Sequence, residues 1–429
     1  MINKDKLKKF LFPFEEILKK VYSQAKKLKV KIYLVGGPVR DFLLGKSHFD
    51  LDIVVEGDAI GLVREISKRL EIPFQKHHSF GTATLYFKDL KIDFATARKE
   101  YYPHWGSLPK VESSSLKEDL FRRDFTINAL AISLNEENWG KVIDLYGGLE
   151  DLKKRLVRVL HKKSFLEDPT RILRAIRFEQ RFTFYIEKDT FKLMKEAIKK
   201  KSLNWVHPHR LRDEIILLLK EPYPYQCIKR INKLIGFSFL HPKIKLQKDN
   251  FKLFLRIKKA ILFYKKEFPY HRNLEDWLLY LIGILINLPK RSILKIMEKF
   301  GFKKGERIRV VSTKESISSI KKKLNKKNTP HKIYPLLNSL SFETIIFIYA
   351  YYKEKILRKN IKFFLRKLTK IRLKIKGGDL KRLGITPSVL YSKILKKVLY
   401  AKIDRNFRTK KEELEEAKKI FKKLYRNYK

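Results

Sequence analysis

The run Leu34-Val35-Gly36-Gly37-Pro38-Val39-Arg40-Asp41, followed by Phe49-Asp50-Leu51-Asp52-Ile53-Val54-Val55, decides how this chain is read. The pattern predicts a strand, a glycine turn, a short helix and a second strand carrying two carboxylates. Residues i and i+2 of a strand share a face. Asp50 and Asp52 therefore project together, while Leu51, Ile53 and Val55 face a core. Two neighbouring carboxylates in so basic a chain point to a divalent cation. Mg²⁺ takes hard oxygen ligands, usually one or two carboxylates plus substrate phosphates. Gly36 and Gly37 let the backbone approach a phosphate, and the helix opening at Pro38 aims its free N–H groups at an anion. These are the parts of a nucleotidyl-transfer site, with Asp50 and Asp52 as metal ligands and catalytic residues. A lone Gly-Gly turn or a lone Asp-x-Asp is commonly an ordinary turn or a solvated strand edge. Joined by one short amphipathic helix, the two carry more weight together.

Composition bounds the rest. The 429 residues suffice for about three domains, and 44% of them are hydrophobic, enough for sizeable cores. The single cysteine, Cys227, leaves no disulfide partner and no cysteine-rich zinc site. No signal peptide and no run of eighteen apolar residues is seen, so the expectation is a soluble cytoplasmic chain without a membrane span. The net charge is +53. Residues 1–150 hold 25 basic and 21 acidic side chains, a net of +4, so nearly all the excess lies behind them. Acidic chemistry at the front and a basic surface behind imply a polyanionic partner. A lysine-rich genome or a thermophile's charged surface are the plainer alternatives, but the ion-pair networks of a thermophile would need far more balancing Asp and Glu beyond residue 150.

Along the chain, residues 1–28 read as a helix with Leu7, Phe10, Leu11, Phe14, Ile17 and Leu18 on one face. Strands are expected at 31–36 and 50–55, a helix at 59–70, and a hairpin from 82–87 and 91–95. Residues 99–119 read as an irregular mobile loop. A helix at 125–131 and a strand at 141–145 follow, and nearly everything from 151 onward reads helical. The fold class is α+β: a small mixed head at 1–150, then helical segments at 151–222, 223–329 and 330–429.

Further motifs carry chemistry. Asp93, on the second hairpin strand, completes a metal site, acts as base for an attacking hydroxyl, or is an edge-strand Asp. In Phe121-Arg122-Arg123-Asp124-Phe125-Thr126-Ile127-Asn128, Asp124 caps a helix and Asn128 falls one turn later. Arg123 beside them suits triphosphate oxygens. Asp144-Leu145-Tyr146-Gly147-Gly148 is a hinge or a plain turn with a helix cap. In Glu167-Asp168-Pro169-Thr170-Arg171, Asp168 and Arg171 lie three apart at a helix entry. A carboxylate accepts from an exocyclic amine and a guanidinium donates to a ring nitrogen or carbonyl. The pair suits cytosine and adenine and rejects guanine and uracil; a helix cap with a surface ion pair is the plainer alternative. Arg174 and Arg177 on the same helix join the nucleotide-binding candidates. Residues 209–215 read as a structural brace. The turn Lys376-Gly377-Gly378-Asp379, with a second helix from Pro387, grips a phosphate backbone or merely caps helices.

Taken in order, these motifs closely resemble the class II tRNA nucleotidyltransferase and bacterial poly(A) polymerase family. The Gly-Gly…Arg-Asp and Asp-x-Asp pattern matches 36–52, Arg-Arg-Asp-Phe-Thr-Ile-Asn-Ala matches 122–129, the Asp…Gly-Gly element matches 144–148, and Glu-Asp-x-x-Arg matches 167–171. The match is continuous over roughly residues 30–220, and motifs so combined are specific. The resemblance implies a catalytic head at 1–150, a base-selecting neck at 151–222, a body at 223–329 and an RNA-binding tail at 330–429. It implies Mg²⁺ on Asp50 and Asp52, and base selection by Asp168 and Arg171 without a nucleic-acid template. It also implies that 99–119 is a flexible loop that helps switch between nucleotides. The expected activity is addition of C and/or A to the 3′ end of tRNA from CTP or ATP, by two-metal in-line attack on the α-phosphate. Arg40, Arg123 and Asn128 would hold triphosphate and sugar, and the tail would clamp the acceptor and TΨC arm. A poly(A) polymerase acting on general RNA, or a non-catalytic basic RNA-binding protein, are the rivals. The long 99–119 segment leans away from a pure C-C adder.

Overall fold

The computed structural model describes residues 4–46, 50–385 and 390–426. Met1–Ile235 and Gly236–Lys429 form two compact units. Phe49 at the head of the Asp-x-Asp strand, and the helix start expected at Pro387, lie outside the described residues.

The first unit opens with α1 (Lys4–Leu11) and α2 (Glu15–Lys27), where one helix was expected. Pro13 sits in the three-residue 3₁₀ turn between them. Its ring removes an amide donor and interrupts the α-helical ladder. Leu7, Leu11, Phe14, Ile17 and Leu18 are nevertheless buried, as the spacing requires.

Next come β1 (Lys31–Val35), α3 (Gly37–Leu43), β2 (Asp50–Glu56) and α4 (Ala59–Leu70). Asp58 starts α4 by accepting a hydrogen bond from the Gly61 amide at 2.9 Å. Then follow β3 (Phe74–His77), β4 (Thr82–Phe87) and β5 (Leu90–Thr96). These strands join β8 (Leu130–Ser133) and β9 (Val142–Asp144) in one seven-stranded sheet, ordered β3-β4-β5-β2-β1-β8-β9. Within it β2 and β5 run parallel, and the other neighbours run antiparallel. Leu51, Ile53 and Val55 are buried on one face of β2. Val54 on the opposite face packs with Tyr33, Val35, Leu116, Leu120 and Ala131.

Residues 99–119 are irregular only in part, over 102–109 and 114–115. They form an antiparallel pair, β6 (Arg98–Tyr101) with β7 (Lys110–Ser113), and then α5 (Leu116–Phe121). The helix expected over 125–131 is a single 3₁₀ turn, Thr126–Asn128, that runs into β8. All four β8 residues are buried, so the strand shows no alternation by which sequence could distinguish it from a helix.

The remainder of this unit is mainly helical: α6 (Gly148–Lys154), α7 (Ser164–Glu167), α8 (Thr170–Phe182), α9 (Lys188–Lys199), α10 (Pro208–Leu219) and α11 (Pro224–Leu234). A short parallel pair, β10 (Leu156–Val157) with β11 (Tyr185–Ile186), interrupts the helical reading.

The second unit is helical: α12 (Lys248–Glu267), α13 (Asp276–Leu285), α14 (Lys290–Lys299), α15 (Lys304–Leu324), α16 (Pro330–Asn338), α17 (Phe342–Tyr351), α18 (Lys355–Arg366), α19 (Gly377–Arg382), α20 (Leu390–Arg405) and α21 (Lys410–Arg426). The apolar α13 and α17 are buried almost throughout. Among the described residues no single helix is long and apolar enough to cross a membrane.

Ile375, Leu380, Ile394, Val398 and Ala417 pack α19, α20 and α21 together. Glu413 sits fully buried beside them. Its carboxylate accepts from the Lys374 and Ile375 amides at 2.7 and 3.0 Å and pairs with Lys402. Replacing it leaves two amides and an ammonium unpaired, which costs about 3–5 kcal/mol for a broken buried pair. Glu413→Ala is therefore expected to melt this helical unit at a clearly lower temperature in a calorimetric scan, and an unchanged melt would contradict the buried pairing.

Candidate active site

A cleft of about 670 Å³ opens on the first unit. Gly36 and Gly37 lie at one end, and Asp168, Thr170 and Arg171 contribute to its wall. Eight arginines line it: Arg40, Arg122, Arg123, Arg171, Arg174, Arg177, Arg181 and Arg210. No lysine does, although the chain has 72 lysines and 27 arginines. A planar guanidinium grips phosphate and carboxylate oxygens in pairs and is less strongly hydrated than an ammonium, so this choice suits a partly dry anion site.

Asp124 is the hub of the cleft. Its Oδ1 accepts from the Phe125 amide at 2.8 Å and from Asn128 Nδ2 at 2.9 Å. Its Oδ2 accepts from Arg174 Nε and Nη2 at 2.8 and 2.6 Å. Asn128 Oδ1 accepts in turn from Arg40 Nη1 at 2.6 Å. Burial pushes the Asp124 carboxyl up, but Arg174 and the hydrogen bonds from Asn128 and Arg174 outweigh it and hold it down at about 2. Arg40 also pairs with Asp41 and stacks over the Phe182 ring at 4.7 Å. The expected capping Asp and its partner Asn128 are thus brought together, but in a one-turn element bridged to α8 rather than in a longer helix.

The glycine turn is shaped for an anion. Gly36 has φ +71, and a Cβ there would lie 2.7 Å from Arg123 Nη1. Only a glycine lets Arg123 lie against the turn. Arg123 Nη2 donates to the fully buried Asp119 at 2.9 Å. The buried Nε atoms of Arg123 and Arg177 make no hydrogen bond. The unpaired Arg123 donor beside the glycine turn fits a ligand bearing several anionic oxygens.

Asp50, Asp52 and Asp93 share one face of the sheet. Parallel pairing sets Asp52 beside Asp93 and Asp50 beside Lys91. The antiparallel pairing of Leu34 with Ile53 sets Asp52 near the Val35–Gly36 end of β1. Asp52 lines the cleft, and Asp50 is exposed on the same face. Asp93 accepts from Thr84 Oγ1 and pairs with Lys91 Nζ, so both its oxygens have partners. Among the described residues no three His, Cys, Asp or Glu side chains form a closed cage. Two strand carboxylates beside an anion cleft are nonetheless the donor set Mg²⁺ takes together with phosphate oxygens.

Asp168 ends α7 and Arg171 lies in the first turn of α8, and both line the cleft. No bond joins them. Arg171 donates to Ser164 Oγ at 2.6 Å and to the Arg122 carbonyl at 2.8 Å. Asp168 accepts from Thr170 and pairs with Arg210. Arg174 and Arg177 continue the stripe, neutralised by Glu214 and Glu221. Arg181 and Tyr102 were not singled out from the sequence, and Arg210 and Glu214 were read only as part of a structural brace. The i, i+3 spacing of Arg174, Arg177 and the later Arg181 was the one available signal for any of them.

At the Asp144 turn the capping alternative is fully formed. Its carboxylate accepts from the Tyr146, Gly148 and Leu149 amides. A Cβ on Gly148 would meet the Thr126 carbonyl at 2.3 Å, so this glycine permits close packing of α6. In the second unit Lys355, Arg358, Lys359, Lys362, Arg366 and Lys367 line a groove with Tyr349 and Phe363.

Two family models match parts of the chain. Residues 32–158 match the family described as Poly A polymerase head domain, and residues 183–247 match the one described as probable RNA and SrmB-binding site of polymerase A. An A-adding tRNA nucleotidyltransferase of Geobacter sulfurreducens is 36% identical over 400 residues, 92% of this chain and 45% of that protein. The chain thus spans about half the length of the curated relatives that it matches over most of its own. A solved CCA-adding enzyme in an apo form is 33% identical, with a TM-score of 0.75, over 96% of this chain and 97% of that one. The Thermotoga maritima CCA-adding enzyme, solved in complex with tRNA, is 34% identical with a TM-score of 0.70 over 95% of each chain.

The Asp124 hub makes a stability prediction. Its folded carboxyl is held down at about 2, well below the usual carboxylate range. Such a depressed group stabilises the fold above its unfolded pKa, and that contribution fades as pH falls from about 4 toward 2. It is worth about 2 kcal/mol at neutral pH. Asp124→Asn is expected to lower the melting temperature at pH 7 and to converge on the wild type near pH 2. An equal deficit at both pH values would contradict the assignment.

Proposed function

The chain belongs to the class II tRNA nucleotidyltransferase and poly(A) polymerase family, and on that premise we propose that it transfers nucleotides from CTP and/or ATP to the 3′ end of tRNA. Addition of the terminal adenosine is the step we favour, because the Geobacter relative, similar over most of this chain, is an A-adding enzyme. The observation that carries the reading is one cleft with a glycine–arginine anion cradle and, in the same lining, an Asp168/Arg171 pair suited to a base edge.

In this reading Gly36, Gly37, Arg40, Arg123 and Asn128 hold the triphosphate and sugar, through the turn amides and the guanidinium groups. Arg174 and Arg177 extend the same positive wall, and Asp124 keeps it rigid through Asn128 and Arg174. Asp168 accepts from the exocyclic amine of adenine or cytosine, and Arg171 donates to the neighbouring ring nitrogen or carbonyl. Guanine and uracil offer a carbonyl where the amine should be, and a carboxylate repels it. No template strand is needed for that choice.

Asp50 and Asp52 are the residues that would hold Mg²⁺, which when bound supplies charge neutralisation on phosphoryl oxygens and a more acidic attacking hydroxyl. The RNA 3′-oxygen forms a bond to the α-phosphorus, the bond to the β-phosphate oxygen breaks, and pyrophosphate leaves with the arginine wall balancing its charge. The hydroxyl proton passes to solvent or to Asp93, which must first give up its pairing with Lys91. The basic, aromatic-bearing groove on α18 suits RNA phosphates and unpaired bases.

The test is single-nucleotide incorporation by the full chain with Mg²⁺. Its substrates are tRNA lacking its 3′ end, tRNA ending in C-C, and an unstructured RNA. One adenosine added to C-C-ended tRNA, then a stop, is expected. Asp52→Asn should lose at least about a hundredfold in rate, as when a transition-state charge partner is removed, while still binding tRNA. Addition of C alone would replace the A-adding reading with C-C addition. Long A tails on any RNA would make the chain a poly(A) polymerase, and no incorporation on any substrate would leave a non-catalytic RNA-binding protein.

A further inference from the structure

Lys91 shares a strand face with Asp50, Asp52 and Asp93. Parallel pairing of β2 with β5 sets Asp50 beside Lys91 and Asp52 beside Asp93. Antiparallel pairing of β4 with β5 sets Thr84 beside Asp93. Paired residues project to the same side, so the four charged side chains form a two-by-two grid of three carboxylates and one ammonium. Lys91 Nζ pairs with Asp93 Oδ2 at 2.5 Å, and Thr84 Oγ1 donates to Asp93 Oδ1 at 2.5 Å. The hydrogen bond to Asp93 does most to hold the Lys91 ammonium above its usual pKa, and the charges of Asp93 and Asp50 add to it against a partial burial that lowers it. The cation therefore serves the face and not one partner alone.

Asp52 and Asp93 are directly opposed across the two strands, and like charges so placed repel. Lys91 offsets that repulsion from within the chain. A divalent cation competes for the same place, because it seeks carboxylate oxygens where the ammonium already sits. A cation arriving at Asp50 and Asp52 meets Lys91 at the adjacent register position and must push it aside. While the pairing lasts, Asp93 is withheld both as a ligand and as a base. The residue type fits this task. A lysine ammonium is a point charge on a flexible four-carbon stem, whereas a guanidinium grips a carboxylate as a fork. Lys91 is half-exposed and has room to swing away. The neighbouring cleft, whose lining includes Asp52, is furnished with arginine and, among the described residues, with no lysine.

We propose that Lys91 is the resident counter-cation of the carboxylate face, which holds Asp93 and stands beside Asp50 until a divalent cation displaces it. It thereby keeps the chain's own affinity for that cation low. This rests on the nucleotidyl-transfer reading above, which places the cation on Asp50 and Asp52, and it adds a residue that competes with the cation instead of holding it.

The experiment is binding of Mn²⁺, a paramagnetic probe, to the full chain without nucleotide at fixed ionic strength, followed by the spin-resonance signal of the free ion. The wild type is compared with Lys91→Met, Lys91→Arg, Asp93→Asn and the Lys91→Met/Asp93→Asn double variant, with thermal melts as fold controls. Lys88→Met removes the same charge from the neighbouring β4–β5 turn, where Lys88 pairs with Glu16. Lys91→Met should tighten Mn²⁺ binding about fivefold, the upper range for a partly exposed ion pair. Lys91→Arg and Lys88→Met should stay near the wild type. Asp93→Asn should loosen binding more in the Lys91→Met background than in the wild type, because only there is the carboxylate released from the ammonium. No tightening in Lys91→Met, or equal tightening in Lys91→Arg or Lys88→Met, would overturn the proposal and leave Lys91 an ordinary cross-strand pair. An equal loss on Asp93→Asn in both backgrounds would overturn the competition for Asp93. Mn²⁺ binding that Asp52→Asn leaves unchanged would instead overturn the parent placement of the cation.

Discussion

The buried Asp124 carboxylate is the constraint on which the cleft depends. It accepts from Asn128 on one oxygen and from Arg174 on the other. Asn128 passes the link to Arg40 on α3, and Arg174 passes it to Glu214 on α10. One side chain therefore fixes the glycine-turn helix, the 3₁₀ turn and the helical wall relative to one another. An unpaired charge at this depth would be costly, so the pairing is all-or-none. That is a suitable property for a site that must present several cations to a ligand without collapsing onto its own carboxylates.

The two kinds of cation divide the work. Among the described residues arginine is the one cation that lines the cleft, where bidentate geometry and partial burial matter. Lysine supplies most of the positive charge elsewhere, as in the α18 groove, where hydrated point charges suffice to attract a phosphate backbone. The net charge of +53 is thus not a single feature. Eight of the 27 arginines gather in one cleft, while lysines carry most of the remaining positive charge.

Much of this is legible in the sequence. Asp50 and Asp52 alternate with Leu51 and Ile53, and period two alone put them on one face. The Gly36–Gly37 turn was legible as a place where backbone can approach a phosphate, and the positive φ of Gly36 against Arg123 was added by the structure. Asp168 and Arg171 were found as a pair, although each turned out to be held by other partners. The β6–β7 pair was hidden by its short strands and by Pro103, Gly106 and Pro109, which read as loop residues. β8 was hidden because a strand buried on both faces has no alternation. Arg210 was hidden for a different reason. Its partners Gly106 and Ser107 lie about a hundred positions away in the chain, and no local pattern reports such a contact.

The central claim is that one nucleoside triphosphate spans the cleft, phosphates at the Gly36–Arg123 end and base at Asp168 and Arg171. The most direct measurement is a crystal structure of the chain with a non-hydrolysable ATP analogue and Mg²⁺. The account predicts the adenine amine on Asp168, the triphosphate against Gly36, Gly37 and Arg123, and the cation on Asp50 and Asp52. An analogue seated in the neighbouring cavity lined by Phe121, His161, Lys162 and Lys163, with the arginine cleft empty, would contradict it.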